Sequence, residues 1–297
     1  MLKLQGKTPV LGLIEWAVNR LGSQGNKSSC IEAEIILSFL LKCERIELYL
    51  DKHKVLSESL IANFKEIVEK RCLDIPLQYL INEAYFFGLK LFVSKGVFIP
   101  RPETEVLVEK ILSIIERDFN KQAAILEFCT GSGNISVALT KNAQGCTIIA
   151  TDINPAALGI AQKNAIKHRV SDKISFLQGD LFSALKAERV SDQEFDIIVA
   201  NPPYVARLDY DGLPEDVHQE PKPALDGGRD GLVFYRRIIS GCAAYLKNGG
   251  FIAFEFGDNQ KEAIAEIINQ SGFFQQPEFF ADLNDISRFV TARKKHG

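Results

Sequence analysis

The residues of this chain whose types and spacing suit chemistry stand at the carboxyl ends of short apolar runs. The first group lies in Ile125-Leu126-Glu127-Phe128-Cys129-Thr130-Gly131-Ser132-Gly133-Asn134-Ile135, which reads as a strand, a glycine turn and a helix start. Glycines without Cβ let a ligand approach the backbone closely. By itself a G-x-G turn fits an ordinary tight βα connection as well. The third glycine of a dinucleotide fingerprint is absent, because Gly133 is followed by Asn134, Ile135 and Ser136. Asp152 closes the next run, about 20 residues after Gly131, where an acid accepts ribose hydroxyls. Its other possible duty is to cap the helix opening at Pro155, for which Asn154 is better placed. Asp180, in Gly179-Asp180-Leu181-Phe182, ends the third run. It is either a plain loop acid or an acceptor for an adenine amino group, with Leu181 or Phe182 against the ring. Three successive strand ends of this kind point to a nucleoside site.

The second group is Asn201-Pro202-Pro203-Tyr204, directly after the apolar run 195–200. Two prolines and an asparagine after a buried strand fix an exposed turn with few conformers. As a bare turn the triplet would be commonplace, and Tyr204 could belong to the core. The six cysteines contain no C-x-x-C pair, and the four histidines are dispersed. That spacing supports neither a zinc site nor a disulfide framework, so no metal is expected.

The elements that must position these groups are short β-rich runs alternating with helical ones beyond Gln122. Strands are expected at 124–128, 147–151, 174–178, 195–200 and 251–256, and helices at 155–168, 232–246 and 259–270. A closing hairpin would use 279–282 and 288–292. This alternation predicts βαβ units and a mostly parallel sheet. Ahead of it, from Thr8 to about Leu80, the period is helical, as in Ile31, Ile35, Ile36, Phe39, Leu40 and Cys43, then Ile61, Phe64 and Val68. Breaks at 22–29 and 51–59 divide this stretch into four or five helices. Tyr85, Phe87, Leu89, Leu91 and Val93 alternate around Gly88 as in a hairpin. In Phe98-Ile99-Pro100-Arg101-Pro102-Glu103-Thr104-Glu105 two prolines forbid helix, and Thr104 starts one. The domains expected are therefore a small all-α domain at 1–82, a hairpin linker at 83–97, and an α/β domain at 98–297.

Bulk properties narrow the classes. Of 297 residues 46% are hydrophobic and 25% charged, ordinary values for a globular protein. A net charge of −3 and an isoelectric point near 5.9 count against binding through phosphate neutralisation, so no nucleic-acid partner is expected. A signal core and a long uncharged apolar run are both lacking, which predicts a cytoplasmic protein without a membrane partner. A monomer is expected.

Placed after the fourth strand of such a fold, Asn201-Pro202-Pro203-Tyr204 resembles the N-P-P-Y signature of class I methyltransferases acting on planar nitrogen. The resemblance implies a Rossmann-like, seven-stranded, mostly parallel sheet and the cofactor S-adenosylmethionine, with S-adenosylhomocysteine as product. The segment 98–105 and Glu220-Pro221…Ala224-Leu225-Asp226-Gly227-Gly228-Arg229-Asp230-Gly231-Leu232 are similar to the bacterial release-factor glutamine methyltransferases. So is the order of helical domain, hairpin and catalytic domain. The implied substrate is the glutamine of the Gly-Gly-Gln loop in class-1 peptide chain release factors, methylated on its side-chain nitrogen while the helical domain holds the release factor.

In such enzymes the Asn201 side-chain oxygen and the Pro202 carbonyl would accept both amide N–H groups, and Tyr204 would pack on the planar group. Alignment and dipoles would then carry the reaction. The resemblance assigns catalysis and substrate contact to Asn201, Pro202, Pro203 and Tyr204, with Arg101 and Glu103 as further substrate contacts. It assigns the cofactor to Glu127, Phe128, Cys129, Thr130, Gly131, Gly133, Asp152, Ile153, Asp180, Leu181 and Asn201. Two departures stand out: Cys129 replaces a glycine of the family pattern, and Leu181 stands where some relatives carry an aromatic.

Three other functions compete. The sister family methylates glutamine in a ribosomal protein, but tends to carry Arg-Ser-Pro where this chain has Arg101-Pro102-Glu103-Thr104. The same turn can hold a base edge for adenine or guanine N-methylation, against which the acidic composition counts. A binding module that has lost activity would not need the intact Asn201–Tyr204 turn.

Overall fold

The computed structural model describes residues 9–187 and 193–296. Thr8, where the helical segment was expected to begin, lies outside the described residues, as do the terminal residues 1–7 and Gly297 of the expected domains. The described chain divides into two compact units, one of residues 1–82 with 215–219 and one of 83–214 with 220–297.

The helical unit contains α1 (Val10–Gly22), α2 (Ser29–Leu41), α3 (Glu47–Leu50), α4 (Glu58–Arg71) and α5 (Leu77–Ile81). In α4, Ser57 caps the first turn by accepting from the Leu60 N–H, and Lys70 and Arg71 complement the dipole of the last turn. Ile61, Phe64 and Val68 share one buried face of α4 and meet Val10, Leu13, Ile14, Ala17 and Leu21 of α1 in a common core. The α2 stripe differs from the expected one. Ala33, Ile36 and Leu37 are buried, whereas Ile31 is exposed and Ile35, Phe39, Leu40 and Cys43 are only half-buried. This helix is apolar almost all round, so periodicity alone could not choose the face that α1, α4 and α5 cover. Within the same unit Arg71 pairs with Glu32 at 2.9 Å and with Asp216 at 3.4 Å.

In the second unit β1 (Glu83–Phe86) and β2 (Leu89–Phe92) form an antiparallel hairpin. Its two-residue turn, Phe87-Gly88, has positive φ at both positions, the type I′ geometry that suits twisted strands. The α6 helix (Thr104–Asp118) follows the double-proline segment. From there β3 (Ala124–Phe128), α7 (Asn134–Asn142), β4 (Thr147–Asp152), α8 (Pro155–Lys167), β5 (Ile174–Gln178), α9 (Ser183–Ala187) and β6 (Phe195–Ala200) alternate in order. After β6 comes α10 (Glu215–His218), which belongs to the helical unit, and the second unit continues with α11 (Val233–Cys242), β7 (Leu246–Glu255), α12 (Lys261–Ser271), β8 (Glu278–Ala281) and β9 (Ser287–Arg293).

The seven strands are ordered β5-β4-β3-β6-β7-β9-β8, parallel from β5 to β7 and antiparallel at β9 and β8. Buried apolar residues form a layer on each face. One packs α6, α7 and the hairpin against Ile125, Ile197 and Phe251, and the other packs α11 and α12 against Leu126, Ile198 and Ile252. This is a Rossmann-like α/β fold. The strand order reverses between β3 and its two neighbours, β4 and β6, and a crevice at the carboxyl ends of strands opens at such a point. No helix among the described residues is long and apolar enough to cross a membrane.

Candidate active site

The carboxyl ends of β3, β4, β5 and β6 surround a cavity of about 370 Å³. The loop between β3 and α7 supplies its floor. Here Cys129 adopts φ 57°, Gly131 φ 55° and Gly133 φ 77°, three left-handed residues within five. A Cβ on Gly131 would meet no atom within 4 Å, since that position faces open space. A Cβ on Gly133 would come within 2.9 Å of the Ala161 side chain, so the second glycine serves the packing of α7 on α8.

Asp152 ties this loop to the end of β4. Its Oδ2 accepts the Gly131 N–H at 2.8 Å and its Oδ1 the Asn154 N–H at 2.9 Å. The role of cap for α8 belongs to Asn154, whose side chain accepts from the Ala156 N–H. Burial raises the Asp152 pKa above its ordinary value, while the backbone donors oppose that shift. From the opposite side the fully buried Asn164 donates to the Ser132 carbonyl at 2.9 Å. Its amide also exchanges two hydrogen bonds with the backbone of Phe92 in the hairpin.

Of the residues that the sequence assigned to a cofactor, Cys129, Thr130, Gly131, Asp152, Ile153, Asp180, Leu181 and Asn201 line the cavity. Glu127, Phe128 and Gly133 are not in its lining. Phe128 is buried in the apolar layer beneath. Glu127 is buried too, hydrogen-bonded by the Ser136 hydroxyl, and desolvation pushes its pKa from 4.5 to about 8. Leu181, with φ 51°, shares with Cys129 a left-handed backbone that non-glycine residues seldom adopt.

Asp180 pairs with Arg237 of α11 at 2.7 Å, and Arg237 lies over the Phe234 ring, 5.8 Å from its centroid. Both Phe234 and Arg237 line the cavity. Neither was singled out from the sequence, where only the helical period of α11 marks them as neighbours on one face.

Asn201, Pro202, Pro203 and Tyr204 line the same cavity. The turn is clamped from behind by the segment after it. A Cβ on Gly227 would fall 2.8 Å from the Pro203 carbonyl oxygen, and one on Gly231 would fall 2.3 Å from the Tyr204 carbonyl oxygen. The Gln260 amide donates to that Tyr204 carbonyl at 2.8 Å. Val205 and Leu225–Gly227 exchange backbone hydrogen bonds, so the chain beyond the turn is held as well. Burial raises the pKa of the Tyr204 hydroxyl, keeping it neutral.

The Asn201 NH₂ donates to the Thr104 hydroxyl at 3.3 Å, and Thr104 donates to Glu255 at 2.6 Å. Thr104 thus opens α6, as expected, but spends its hydroxyl on β7 rather than on capping the helix. Arg101 and Glu103 lie outside the cavity lining. Arg101 sits 4.7 Å over the Phe98 ring and pairs with the buried Glu220, which also accepts the Ile99 N–H at 2.9 Å. Phe98 itself, Pro221, Pro223, Ala224 and Leu225 border the cavity, so this pair braces the wall.

Residues 94–228 match the model of the methyltransferase small domain, and residues 12–81 match that of the PrmC N-terminal domain. A release factor glutamine methyltransferase of Thermodesulfovibrio yellowstonii is 39% identical over 89% of this chain and 92% of its own length. One from Geobacter sulfurreducens is 36% identical over 95% of both chains. A solved methyltransferase of Pyrococcus furiosus, 16% identical, shares the fold with a TM-score of 0.50 over 71% of this chain and 91% of its own. An α/β methyltransferase is thus defined by fold and site together. The chain belongs to the release factor glutamine methyltransferase family.

Proposed function

We propose that this protein transfers the methyl group of S-adenosylmethionine to the side-chain nitrogen of the glutamine in the Gly-Gly-Gln loop of class-1 peptide chain release factors. The observation that carries this reading is a pair of free acceptors. Among the described residues nothing donates to Asn201 Oδ1 or to the Pro202 carbonyl, and both residues line the cavity. A primary amide presents two N–H groups, and two fixed acceptors match them. Holding both localises the nitrogen lone pair away from its own carbonyl, and Tyr204 offers a flat neutral surface beside it. The residues act by alignment and dipoles, for which positioning contributes up to roughly 7–11 kcal/mol.

The cavity suits the nucleoside donor. Its volume falls within the roughly 300–1,000 Å³ usual for small-ligand sites. Ser132 Oγ is buried without a hydrogen-bond partner among the described residues, and Ser132 borders the cavity. Asp152 and Asp180 would hold the ribose and adenine groups, and Ile153 and Leu181 would cover the ring. When bound, the donor's sulfonium supplies an electrophilic methyl.

The helical unit, which the family relatives share, would hold the release factor. A methyl-transfer assay offering purified release factor, ribosomal protein and RNA side by side tests the reading. Incorporation into the release factor, lost when its Gly-Gly-Gln glutamine is changed, is expected. Methylation of only the ribosomal protein or the RNA would overturn it.

A further inference from the structure

An asparagine amide offers an acceptor on one side and two donors on the other, and a half-turn about its last bond swaps them. Turned the wrong way, Asn201 would set its own N–H groups against those of the substrate. Something in the protein must therefore choose the orientation. The parallel ladder between β6 and β7 pairs Ala200 with Phe254, so the next residues, Asn201 and Glu255, leave the two strands side by side. Thr104, from the first turn of α6, stands between them with no solvent exposure.

We propose that Thr104 and Glu255 are positioning residues which fix the polarity of the Asn201 amide, so that its oxygen is the atom offered to the cavity. The proposal rests on the methyl-transfer reading of the turn. Thr104 has one hydroxyl hydrogen, and it is committed to Glu255 Oε2 at 2.6 Å. A hydroxyl so committed accepts only, and only the NH₂ side of Asn201, 3.3 Å away, makes a favourable contact with it. The carboxylate sets the hydroxyl, and the hydroxyl and the carboxylate together hold the NH₂ side of the amide. Both supporting groups are almost fully buried, so water does not compete for these bonds.

The relay has a titratable end. Burial raises the Glu255 carboxyl to about 7, with Thr104 and Asn201 as the hydrogen-bond donors opposing that shift. The charged groups facing it are Glu103, which disfavours its ionisation, and Arg288 of β9, which favours it. The hydroxyls of Tyr204 and Tyr235 are also within its field. Once protonated, Glu255 is itself a donor, Thr104 is released from it, and the Asn201 orientation is no longer enforced. Turnover should therefore fall as pH drops through about 7.

The experiment compares wild type with Thr104→Val, Thr104→Ser and Glu255→Gln. It measures single-turnover rate, KM for release factor, S-adenosylhomocysteine affinity, melting temperature and the ¹⁵N-resolved side-chain NH₂ signal of Asn201. Thr104→Val should lower the rate about 10- to 100-fold with KM and cofactor affinity nearly unchanged. Thr104→Ser should restore most of it, and Glu255→Gln should remove the acid limb of the pH–rate profile. In wild type the Asn201 NH₂ signal should shift as Glu255 titrates, and in Glu255→Gln that shift should vanish.

Wild-type rate in a folded Thr104→Val protein overturns the proposal. So does a rate loss that merely tracks melting temperature or cofactor affinity, or a serine that fails to rescue. If Thr104→Val does not fold, the serine variant, the Glu255→Gln profile and the wild-type signal still decide. A wild type inactive on release factor refutes the substrate reading instead, and the NH₂ signal then judges the relay alone: no shift with pH overturns it.

Discussion

The backbone N–H of Gly131 and the carboxylate of Asp152 meet at 2.8 Å across the ends of two neighbouring strands. Asp152 therefore shapes the glycine loop as well as facing the cavity, and its other oxygen is engaged by the Asn154 N–H. Both oxygens work as acceptors of backbone donors. Asp152→Asn, which turns one oxygen into a donor, should consequently weaken S-adenosylhomocysteine binding nearly as much as Asp152→Ala. A loss of about 1.5–3 kcal/mol is expected for each, measured by calorimetry. An asparagine variant that binds like wild type would show that the loop does not depend on this carboxylate.

Asn201→Ala should leave melting temperature close to wild type and cut single-turnover rate by about 10²–10³, the usual loss for a missing transition-state contact. Tyr204→Phe should be milder than Tyr204→Ala under the proposed reading, in which the ring rather than the hydroxyl would face the amide. If Asn201 served only to cap the turn, rate and melting temperature would decline together.

Glycine substitutions separate scaffold from cavity. Gly231→Ala places a methyl 2.3 Å from the Tyr204 carbonyl, at φ 75°, so the clamp on the turn must shift. It should lower stability by about 1–3 kcal/mol and activity with it. Gly131→Ala meets nothing within 4 Å and costs only the left-handed backbone, about 1–2 kcal/mol, largely offset by the lower chain entropy of alanine. Its methyl should reduce cofactor affinity more than stability. Thermal melts and calorimetry on both variants check the contrast, and equal effects on binding from both would count against it.

Burial of Glu127 predicts a pH-dependent stability. Its folded pKa of about 8 lies above the ordinary 4.5, so in that interval the folded chain holds a proton the unfolded chain has released. Stability is then highest at the acid end of the window and declines as pH rises towards 8, by on the order of 3–5 kcal/mol for this group. Glu255 adds a decline of the same sign. Glu127→Gln should flatten the fall in melting temperature between about pH 5 and about pH 8 without abolishing it. An unchanged slope would mean that Glu127 titrates normally.

Cys129 occupies a left-handed position, φ 57°, a backbone region that glycine enters without strain. The strain of about 1–2 kcal/mol is largely offset by the lower chain entropy of cysteine relative to glycine. Cys129→Gly should thus change stability little, whereas the β-branched Cys129→Val should lower the melting temperature clearly. Denaturant unfolding of the three proteins provides the check, and a stable valine variant would rule out the strain.

The amino-acid sequence by itself determined the order of elements and the fold class. Strand runs such as Ala124–Phe128 and Phe195–Ala200 carry apolar β-formers through their length, and prolines at 202 and 203 stop the latter. These are local preferences, and local chemistry is what a sequence records. Hence most chain-order elements, the hairpin around Gly88 and the turn at Asn201 were legible in advance, whereas the short α9 and α10 were not, and the helix expected at 232–246 ends at Cys242 because β7 already starts at Leu246. The partners of the turn were not. Thr104 and Glu255 are 151 residues apart, and only the pairing of β6 with β7 and the docking of α6 bring both to Asn201. Phe234 and Arg237 reach the cavity only because tertiary packing brings α11 to Asp180, with which Arg237 pairs at 2.7 Å. Gly227 and Gly231 were visible as part of a motif, but the reason for them is a carbonyl more than 20 residues earlier that leaves no room for a Cβ. The buried stripe of α2 and the raised acidities of Glu127 and Glu255 belong to the same class. Periodicity reports which faces are apolar, whereas which face is covered, and which carboxylate loses its water, depends on the neighbours that tertiary packing supplies.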